Sequence, residues 1–463
     1  IANGAGEQPT GFYNGVATQS LRFDDGSVHK LNRTFSGDYD NAKKMTISVW
    51  AKRANLSGST QVIVSTYPAI RFVGELSWRS DNKISFDPGG NGDGSSNSYT
   101  VQTTSLFRDV SSWYHIVLAY DTTQGTDTNR VKIYVNGTQQ TLEPLSGSHT
   151  FPPEDYLHTY AYNGANNEIG NYSSAASGAL DGYLAEFNFV DGLALAPSSF
   201  GETKNGVWIP IEYTGSYGGK GYRLQFDQVG VGTASTSTIG ADTSGNTNHW
   251  TSSGIVASDC AMPDSPENNF CTTNGVMRAN ITKSEGNLKM VGVGGNYDNL
   301  GATFAVDAAD SEGWYWEYRS IGNDESTVIG FADPQNAQFN QSDPSGSFTN
   351  DGDGKGYMGN GNKRNSGSAA SYGNSWTGGD ILGIAVKSGA VYFYKNGTIQ
   401  ASGAAAYSSI TGLITPAFGI NGTHSGTANF GQDSSFAGTE TAQGNTDGNG
   451  IGDFYYAPPS GYK

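Results

Sequence analysis

Several acidic residues of this chain are spaced as metal ligands are. Asp447, Asn449 and Asp453 lie in a Gly-rich stretch that places oxygen ligands two residues apart, as Ca²⁺ loops do. Asp351 and Asp353 repeat the spacing in a shorter form. Both stretches lack the bidentate Glu of a complete Ca²⁺ loop, and alternating Asp and Gly also forms plain turns. The sequence therefore predicts no definite cofactor. Ca²⁺ remains an open alternative, and its ligands would be Asp447, Asn449 and Asp453.

The chain has two cysteines, Cys260 and Cys271, so it is not a disulfide scaffold. Their separation allows one small disulfide-closed loop in an oxidising setting. It equally allows two buried thiols, because free Cys is often simply buried. We predict a bridge, which requires Cα atoms within about 7 Å.

Catalytic patterns are scarce. A glycoside hydrolase needs two carboxylates that flank the scissile bond. Asp181 and Glu186 are five positions apart, so a strand would point them to opposite faces. The chain has no Gly-x-Ser-x-Gly elbow and no His-Glu-x-x-His motif, and its histidines show no metal-ligand spacing. We therefore predict that the protein is not an enzyme.

One long stretch has the composition of a recognition loop. Residues 340–374 show no strand periodicity and combine Tyr with Gly, Asn and Ser. Loops on a rigid sandwich can vary without harming the core, so recognition tends to lie there. We predict an ordered, exposed loop whose ligand-binding residues are Asp351, Asp353, Tyr357, Arg364 and Tyr372.

The elements that would position these residues are strands. In residues 45–50, apolar Ile47 and Val49 alternate with Thr46 and Ser48. Further strand signals follow at 113–120, 131–135 and 180–189, and again at 314–318, 326–331, 380–386 and 391–398. We expect 326–331 to pair with 314–318. Asn-Gly follows two of the strands and predicts tight hairpin turns.

Composition agrees with an all-β chain. Gly supplies 65 of the 463 residues, and only 15% of the residues are charged. The net charge of −17 argues against nucleic acid as a partner, because phosphate contacts need Lys and Arg. No segment approaches the roughly 18 consecutive apolar residues of a spanning helix, so we predict no membrane insertion. Because the chain begins with Ile1 and no signal peptide, we interpret it as processed or as part of a longer polypeptide.

The predicted fold is two antiparallel β-sandwich (jelly-roll-like) domains joined by an ordered connector rich in Gly, Pro and aromatic residues. The predicted boundaries are 1–200 for the first sandwich, 201–275 for the connector, 276–436 for the second sandwich and 437–463 for a C-terminal tail.

Particular motifs resemble known families. Residues 20–200 resemble the laminin-G or concanavalin A-like lectin fold through residues 46–52, 113–117, 131–138 and 180–186. Residues 280–435 resemble a SPRY domain through 313–317, 329–331, 379–384, 392–397 and 416–419. In SPRY-like sandwiches the loops at one end form the binding surface, and this resemblance supports 340–376 as the candidate.

The combination resembles structural proteins of marine bacteriophages. The motifs that carry this resemblance are residues 200–210, 242–246, 264–270 and 452–459. It implies a virion surface protein, as a tail fibre, capsid fibre or decoration, that adheres to a host-surface glycan or to a neighbouring virion protein. It also implies a homo-oligomer and a chain that often continues beyond Lys463. A purely architectural decoration and a bacterial cell-surface or filament adhesin remain open alternatives.

Overall fold

The structure is a computed structural model of the chain. It describes residues 11–26, 28–37, 40–56, 58–68, 73–89, 99–145, 151–172, 178–277, 280–294, 297–322, 325–339 and 346–463. The chain divides into two units, of which the first ends at Asn268 and the second begins at Asn269. Helix in the described residues is limited to four single turns of 3₁₀ helix, at Asp127–Asn129, Pro197–Ser199, Ala257–Asp259 and Ala401–Gly403. The predicted all-β fold with antiparallel sandwiches is confirmed. None of the described helices is long and apolar enough to cross a membrane.

The strands of the first unit are short, and most have three to eight residues. They are β1 Leu21–Phe23, β2 Lys30–Thr34, β3 Lys44–Arg53, β4 Gln61–Tyr67, β5 Gly74–Trp78, β6 Ile84–Asp87, β7 Val101–Thr103, β8 Tyr114–Asp121, β9 Val131–Val135, β10 Thr138–Gln139, β11 Leu142–Pro144, β12 Asn166–Ile169, β13 Gly182–Asp191, β14 Gly201–Lys204, β15 Val207–Pro210, β16 Tyr222–Leu224 and β17 Thr251–Ser253.

Two antiparallel sheets face each other in this unit. One has the order β1-β13-β3-β8-β9-β10, and β16 also pairs with β13. The other has the order β11-β7-β6-β5-β4-β12-β2-β17. A single buried apolar cluster lies between the two sheets and takes residues from both, including Ile47 and Val49 of β3. The alternation read in residues 45–50 therefore points one face of β3 into the core.

The outer face of the first sheet is also covered. Trp50 on β3 and Tyr183 on β13 point away from the sandwich core and are less than 5% exposed. They pack in a second cluster with Trp113, Met262 and the partly buried Trp208. Because Trp208 and Met262 come from the predicted connector, that segment supplies a third layer over the sheet.

Residues 201–268 thus belong to the first unit. Strand β16 extends one sheet, and β17 extends the other by pairing with β2. The hairpin β14–β15 forms a small sheet of its own. The aromatic residues of this segment are numerous because they pack in the first unit.

Both Asn-Gly pairs form the predicted tight turns. Asn136 and Gly137 have φ angles of 48° and 76° between β9 and β10, and the equivalent pair at 396–397 has 48° and 74°. Positive φ at both central residues is the type I′ geometry, whose twist matches that of the flanking strands.

The second unit contains the remaining strands. They are β18 Ile281–Ser284, β19 Lys289–Gly292, β20 Tyr297–Gly301, β21 Val306–Asp307, β22 Trp314–Ile321, β23 Val328–Ala332, β24 Gly354–Met358, β25 Asn362–Asn365, β26 Ser368–Ser371, β27 Ile381–Lys387, β28 Ala390–Lys395, β29 Thr398–Ile399, β30 Leu413–Asn421 and β31 Ser425–Asn429.

These strands also form two antiparallel sheets around one core. The first has the order β18-β19-β31-β22-β27-β28-β29, and the second has the order β20-β30-β23-β24-β25-β26, with β21 pairing to β30. The expectation that 326–331 pairs with 314–318 is wrong. Strand β22 pairs with β27 and β31, whereas β23 lies in the other sheet between β24 and β30.

Residues 437–463 are bound to the outer face of the first of these sheets. Phe454 and Tyr462 pack there with Tyr315 of β22. The backbone N–H of Tyr315 donates to the carbonyl oxygen of Lys463 at 2.8 Å, and the Lys463 N–H donates to the carbonyl of Gly313 at 2.7 Å. The segment read as a C-terminal tail is therefore a structural part of the second unit.

Candidate ligand-binding site

The predicted recognition loop is largely a strand hairpin. Strands β24, β25 and β26 occupy residues 354–371, whereas residues 340–345 lie outside the described residues. These strands were predicted as a loop because Gly, Asn and Ser are frequent in them, and such residues show no hydrophobic alternation.

Tyr357 is a core residue, so its assignment as an exposed ligand-binding residue is wrong. Its side chain is 0% exposed, and its ring centroid lies 5.2 Å from that of Phe393. Its hydroxyl donates to the carbonyl oxygen of Asn374. A ligand could reach this ring only after the second core had opened.

Truncation of Tyr357 should accordingly act on stability. Replacing Tyr357 by Ala is expected to lower the unfolding free energy of the second unit by about 3–5 kcal/mol, the range for large aromatic residues in cores. Urea unfolding followed by hydrogen exchange of second-unit peptides would measure it. Ser371→Ala, an exposed change on β26, should stay within about 0.5 kcal/mol. An equally stable Tyr357→Ala variant would contradict the buried placement.

The other four residues of this prediction are bound to separate neighbours. Arg364 donates through Nη2 to Asn350 Oδ1 at 2.8 Å, and its guanidinium lies 5.8 Å from the Tyr297 ring centroid. The Tyr372 hydroxyl donates to the Ala404 carbonyl at 3.1 Å.

The two acidic residues accept hydrogen bonds from nearby amides. Gln338 Nε2 donates to Asp351 at 3.1 Å, and Asn336 Nδ2 donates to Asp353 at 2.7 Å. The structure therefore does not bring the five predicted residues to one ligand, and whether any of the exposed ones binds a partner stays a prediction.

The predicted Ca²⁺ ligands face different protein donors. Asp447 accepts the N–H groups of Asn449 and Ile451 at 2.8 and 2.9 Å, which is the geometry of a tight Asx-type turn. Asp453 accepts the Ser434 hydroxyl at 2.5 Å and the Gly444 N–H at 3.1 Å. The described residues contain no group of three His, Cys, Asp or Glu side chains that could hold a metal ion. Ca²⁺ at this turn stays a prediction that the geometry does not favour.

The predicted disulfide is wrong. Cys260 and Cys271 are both free and buried. Cys260 belongs to the core of the first unit, where its thiol donates to the Val256 carbonyl at 3.3 Å and burial raises its pKa to about 12. Cys271 belongs to the second unit, because the boundary between the two units falls between the cysteines.

The carboxylates weighed as catalytic candidates are inaccessible. Glu186 lies at a bulge of β13, with φ 45°, and is 3% exposed. Its Oε1 accepts Arg223 Nε at 2.6 Å, and burial raises its pKa to about 7 despite that cation. Asp181 is 2% exposed and accepts from Asn55. Neither side chain can reach a substrate in solution.

A pocket in the second unit is a further candidate site. Its volume is about 80 Å³, and it lies beside the first residue of β22. Aromatic rings form much of its lining, namely those of Phe270, Phe304, Trp314, Tyr315, Trp316, Phe430 and Phe454. The rings of Phe304, Trp314 and Phe430 remain partly exposed. Trp316 is buried in the core, whereas Trp314, two residues earlier on the same face of β22, is only partly buried.

Two ionisable side chains also line this pocket. Lys463 Nζ lies 4.6 Å from the Trp314 ring centroid, a cation–π distance, and Asp447 supplies a carboxylate. An apolar cavity of about 150 Å³ holds a benzene molecule. A pocket of about half that size can hold the edge of one ring of a ligand, or one apolar substituent. The two ionisable side chains can then contact polar groups of the same ligand.

Glu317 anchors the segment that forms one wall of the pocket. It is 0% exposed and accepts the N–H groups of Tyr455 and Tyr456 at 2.9 and 2.8 Å, together with Asn429 Nδ2 at 3.0 Å. Burial raises its pKa to about 7, although these donors act in the opposite direction. Glu317 therefore joins the C-terminal segment to β22 directly behind the aromatic lining.

The fold defines a protein of two β-sandwich modules. Residues 25–199 match a laminin G model described as the concanavalin A-like lectin/glucanases superfamily, and residues 313–433 match the SPRY domain. Both resemblances expected from the motifs are confirmed. Domains of these two kinds suggest a binding or adhesion role and are typically non-catalytic. No curated protein sequence matches the chain.

Solved structures with similarity to the chain share low identity with it. The SPRY domain of human HERC1 is 16% identical over 34% of this chain and 94% of that chain, with a TM-score of 0.27. A SAP-like pentraxin from Limulus polyphemus is 15% identical over 39% and 78%, with a TM-score of 0.27. A putative carbohydrate binding protein from Bacteroides ovatus is 15% identical over 52% and 59%, with a TM-score of 0.34.

Proposed function

We propose that the protein is a non-enzymatic adhesin on the outside of a phage virion, as a tail fibre, capsid fibre or decoration, and that it binds a host-surface glycan. The observation that carries the binding role is the partly exposed aromatic pocket around Trp314, set in a unit of the SPRY type. Aromatic rings beside a few polar side chains suit ligands that have both apolar and polar faces, as sugars do. The resemblance of several motifs to marine phage structural proteins supports the virion location.

The glycan would meet the pocket at the exposed parts of its rings. Trp314 and Phe430 offer apolar faces. Asp447 offers an acceptor, and the Lys463 ammonium, which also pairs with Glu312, offers donors for hydroxyl groups. The small volume favours recognition of one residue or one substituent of a longer glycan. Affinity would then come from repetition, because several copies in a homo-oligomer bind a repeating polysaccharide multivalently.

A Trp314 variant tests this proposal. Replacing Trp314 by Ala is expected to reduce binding to the recognised polysaccharide tenfold or more, about 1.4 kcal/mol, because a central aromatic ring would be lost. Biolayer interferometry against a panel of bacterial surface polysaccharides would measure it. Tyr67→Ala is the matched control, because Tyr67 is 42% exposed and belongs to the first unit. Equal binding by Trp314→Ala and the parent protein would remove the pocket from the proposal.

An architectural role is the second candidate, and one observation favours it. Tyr357, Arg364 and Tyr372, which the sequence offered to a ligand, are engaged within the second unit. Gold-labelled antibody on virions would establish the location on a head, a tail or a fibre. Virions that carry Trp314→Ala and adsorb to cells normally would favour the architectural role, in which the contacts are with neighbouring virion proteins. Label on bacterial filaments would instead favour a cell-surface adhesin.

A further inference from the structure

A lysine and an aspartate meet in the outer cluster of the first unit. Lys52 Nζ lies 2.8 Å from Asp264 Oδ2, and the two side chains are 1% and 0% exposed. The residues are 212 positions apart in sequence. Lys52 belongs to β3, in the middle of a sheet, whereas Asp264 lies in the segment that covers that sheet.

Large apolar groups surround this pair. Trp50, Trp113, Tyr183 and Met262 form the buried cluster on this face, and Lys52 Nζ lies 5.9 Å from the Tyr183 ring centroid. Separated charges are costly in such an environment. Condensation of the two side chains would remove both charges from this environment.

Both partners are held in place. Lys52 is opposite Tyr183 in the ladder between β3 and β13. The Ser20 hydroxyl donates to the Asp264 carbonyl at 2.6 Å, and Ser20 and Met262 exchange two backbone hydrogen bonds at 2.8 and 2.9 Å. Lys52 Nζ and Asp264 Oδ2 are held 2.8 Å apart, and groups fixed in contact reach effective molarities that free groups cannot, so a slow reaction becomes feasible during the lifetime of the protein.

The carboxyl group is also polarised. Trp113 Nε1 donates to Asp264 Oδ1 at 3.2 Å, while Oδ2 faces the amine. A donor on Oδ1 stabilises the negative charge that develops there when a nucleophile attacks the carboxyl carbon, as an oxyanion hole does. The two oxygens thus have different environments, and Oδ2 is the one placed to leave.

We propose that Lys52 and Asp264 condense spontaneously into an intramolecular isopeptide bond. One proton passes from the Lys52 ammonium to Asp264 Oδ2, Nζ attacks Cγ, and the Nζ–Cγ bond forms as the Cγ–Oδ2 bond breaks. Oδ2 departs as water with the two protons that Nζ gives up, so one ammonium and one carboxylate become one amide and one water. Nothing is oxidised or reduced, and no co-reactant is needed.

A second buried ion pair in the same unit shows why the reaction requires a lysine. Arg22 and Asp259 are 3.0 Å apart and both 0% exposed, but a guanidinium stays protonated and does not act as a nucleophile. That pair remains ionic. The isopeptide bond would close the chain from 52 to 264, and so constrain the unfolded state as a disulfide does, in a protein whose two cysteines are free.

Intact-protein mass spectrometry of the full chain decides the matter. The parent protein should be lighter than its sequence mass by one water molecule, and a proteolytic digest should yield a branched peptide that joins Lys52 to Asp264. Lys52→Arg keeps the charge and the ion pair but should have its full sequence mass. Trp113→Phe keeps both reacting groups and should convert more slowly after synthesis.

Other outcomes would overturn the proposal. A parent protein at its full sequence mass, with linear peptides at Lys52 and Asp264, would mean that the pair is only an ion pair. A missing water that maps to another position, or that persists in Lys52→Arg, would exclude this bond. The parent mass alone suffices, so the result stands even if a variant fails to fold.

Discussion

Replacing Asp259 by Ala is expected to lower the unfolding free energy of the first unit by about 3–5 kcal/mol, because it leaves the Arg22 guanidinium buried without its carboxylate. Arg22 donates through both Nε and Nη2 to Asp259 Oδ1, at 3.2 and 3.0 Å, and both side chains are 0% exposed. Oδ2 accepts the Val256 N–H at 2.9 Å and so caps a 3₁₀ turn. Urea unfolding, followed by hydrogen exchange of first-unit peptides, would measure the loss.

A double variant identifies the cause of that loss. Arg22→Met combined with Asp259→Ala removes the orphaned charge and should recover most of the stability, since apolar replacements of buried pairs are often neutral. Asp127→Ala, an exposed acidic site, should change stability by less than about 0.5 kcal/mol. If the double variant is as unstable as Asp259→Ala, the lost turn cap and packing are responsible, and the buried charge is not.

Raising the pH from 5 to 8 is expected to weaken the second unit through Glu317. Burial raises the pKa of Glu317 from 4.5 to about 7 in the folded protein, so the folded state binds the proton more tightly than the unfolded state. The resulting stabilisation is complete below about pH 4.5 and is lost as the pH rises through 7, by roughly 3 kcal/mol in total. Urea unfolding at pH 5 and pH 8, with pulsed hydrogen exchange of β22 and β27 peptides, reports the second unit separately.

Above pH 7 the Glu317→Gln variant should be less stable than the parent protein, because its amide offers fewer acceptors than the carboxylate to the N–H groups of Tyr455 and Tyr456. Its stability should no longer fall between pH 5 and pH 8, since the titrating group is gone. Glu325→Gln provides the control, because Glu325 is exposed and its removal should leave the pH dependence intact. A pH dependence that survives in Glu317→Gln must arise from another group.

Strands with regular alternation could be predicted because the cause is local. In β3, Ile47 and Val49 point into the core, and the sequence shows this directly. The Asn-Gly turns are equally local, because two adjacent residues set the backbone geometry. The fold class follows from such signals, whereas both module types were expected from the resemblance of particular motifs to known families.

Contacts between distant residues could not be predicted in this way. The sequence offers no reason to pair Lys52 with Asp264, or Glu317 with the N–H groups of Tyr455 and Tyr456. Tyr357 was misplaced because its neighbours are small and polar, while the apolar groups that bury it, such as Phe393, come from another strand. The aromatic pocket was missed for the same reason, since its lining comes from six separate parts of the second unit.

The covered outer face of the first sheet limits how this module can be exchanged between genes. A segment that ended at residue 200 would lack strands β16 and β17 of the two sheets, and also the layer that covers Trp50, Trp113 and Tyr183. The transferred sandwich would present three large rings and the Lys52 side chain to water, and it would aggregate with its own copies. Viable recombination therefore requires a crossover near residue 268, where the chain passes from one unit to the next. The exchangeable gene segment is therefore about seventy codons longer than the lectin-like match. The match ends at residue 199, whereas the unit ends at residue 268.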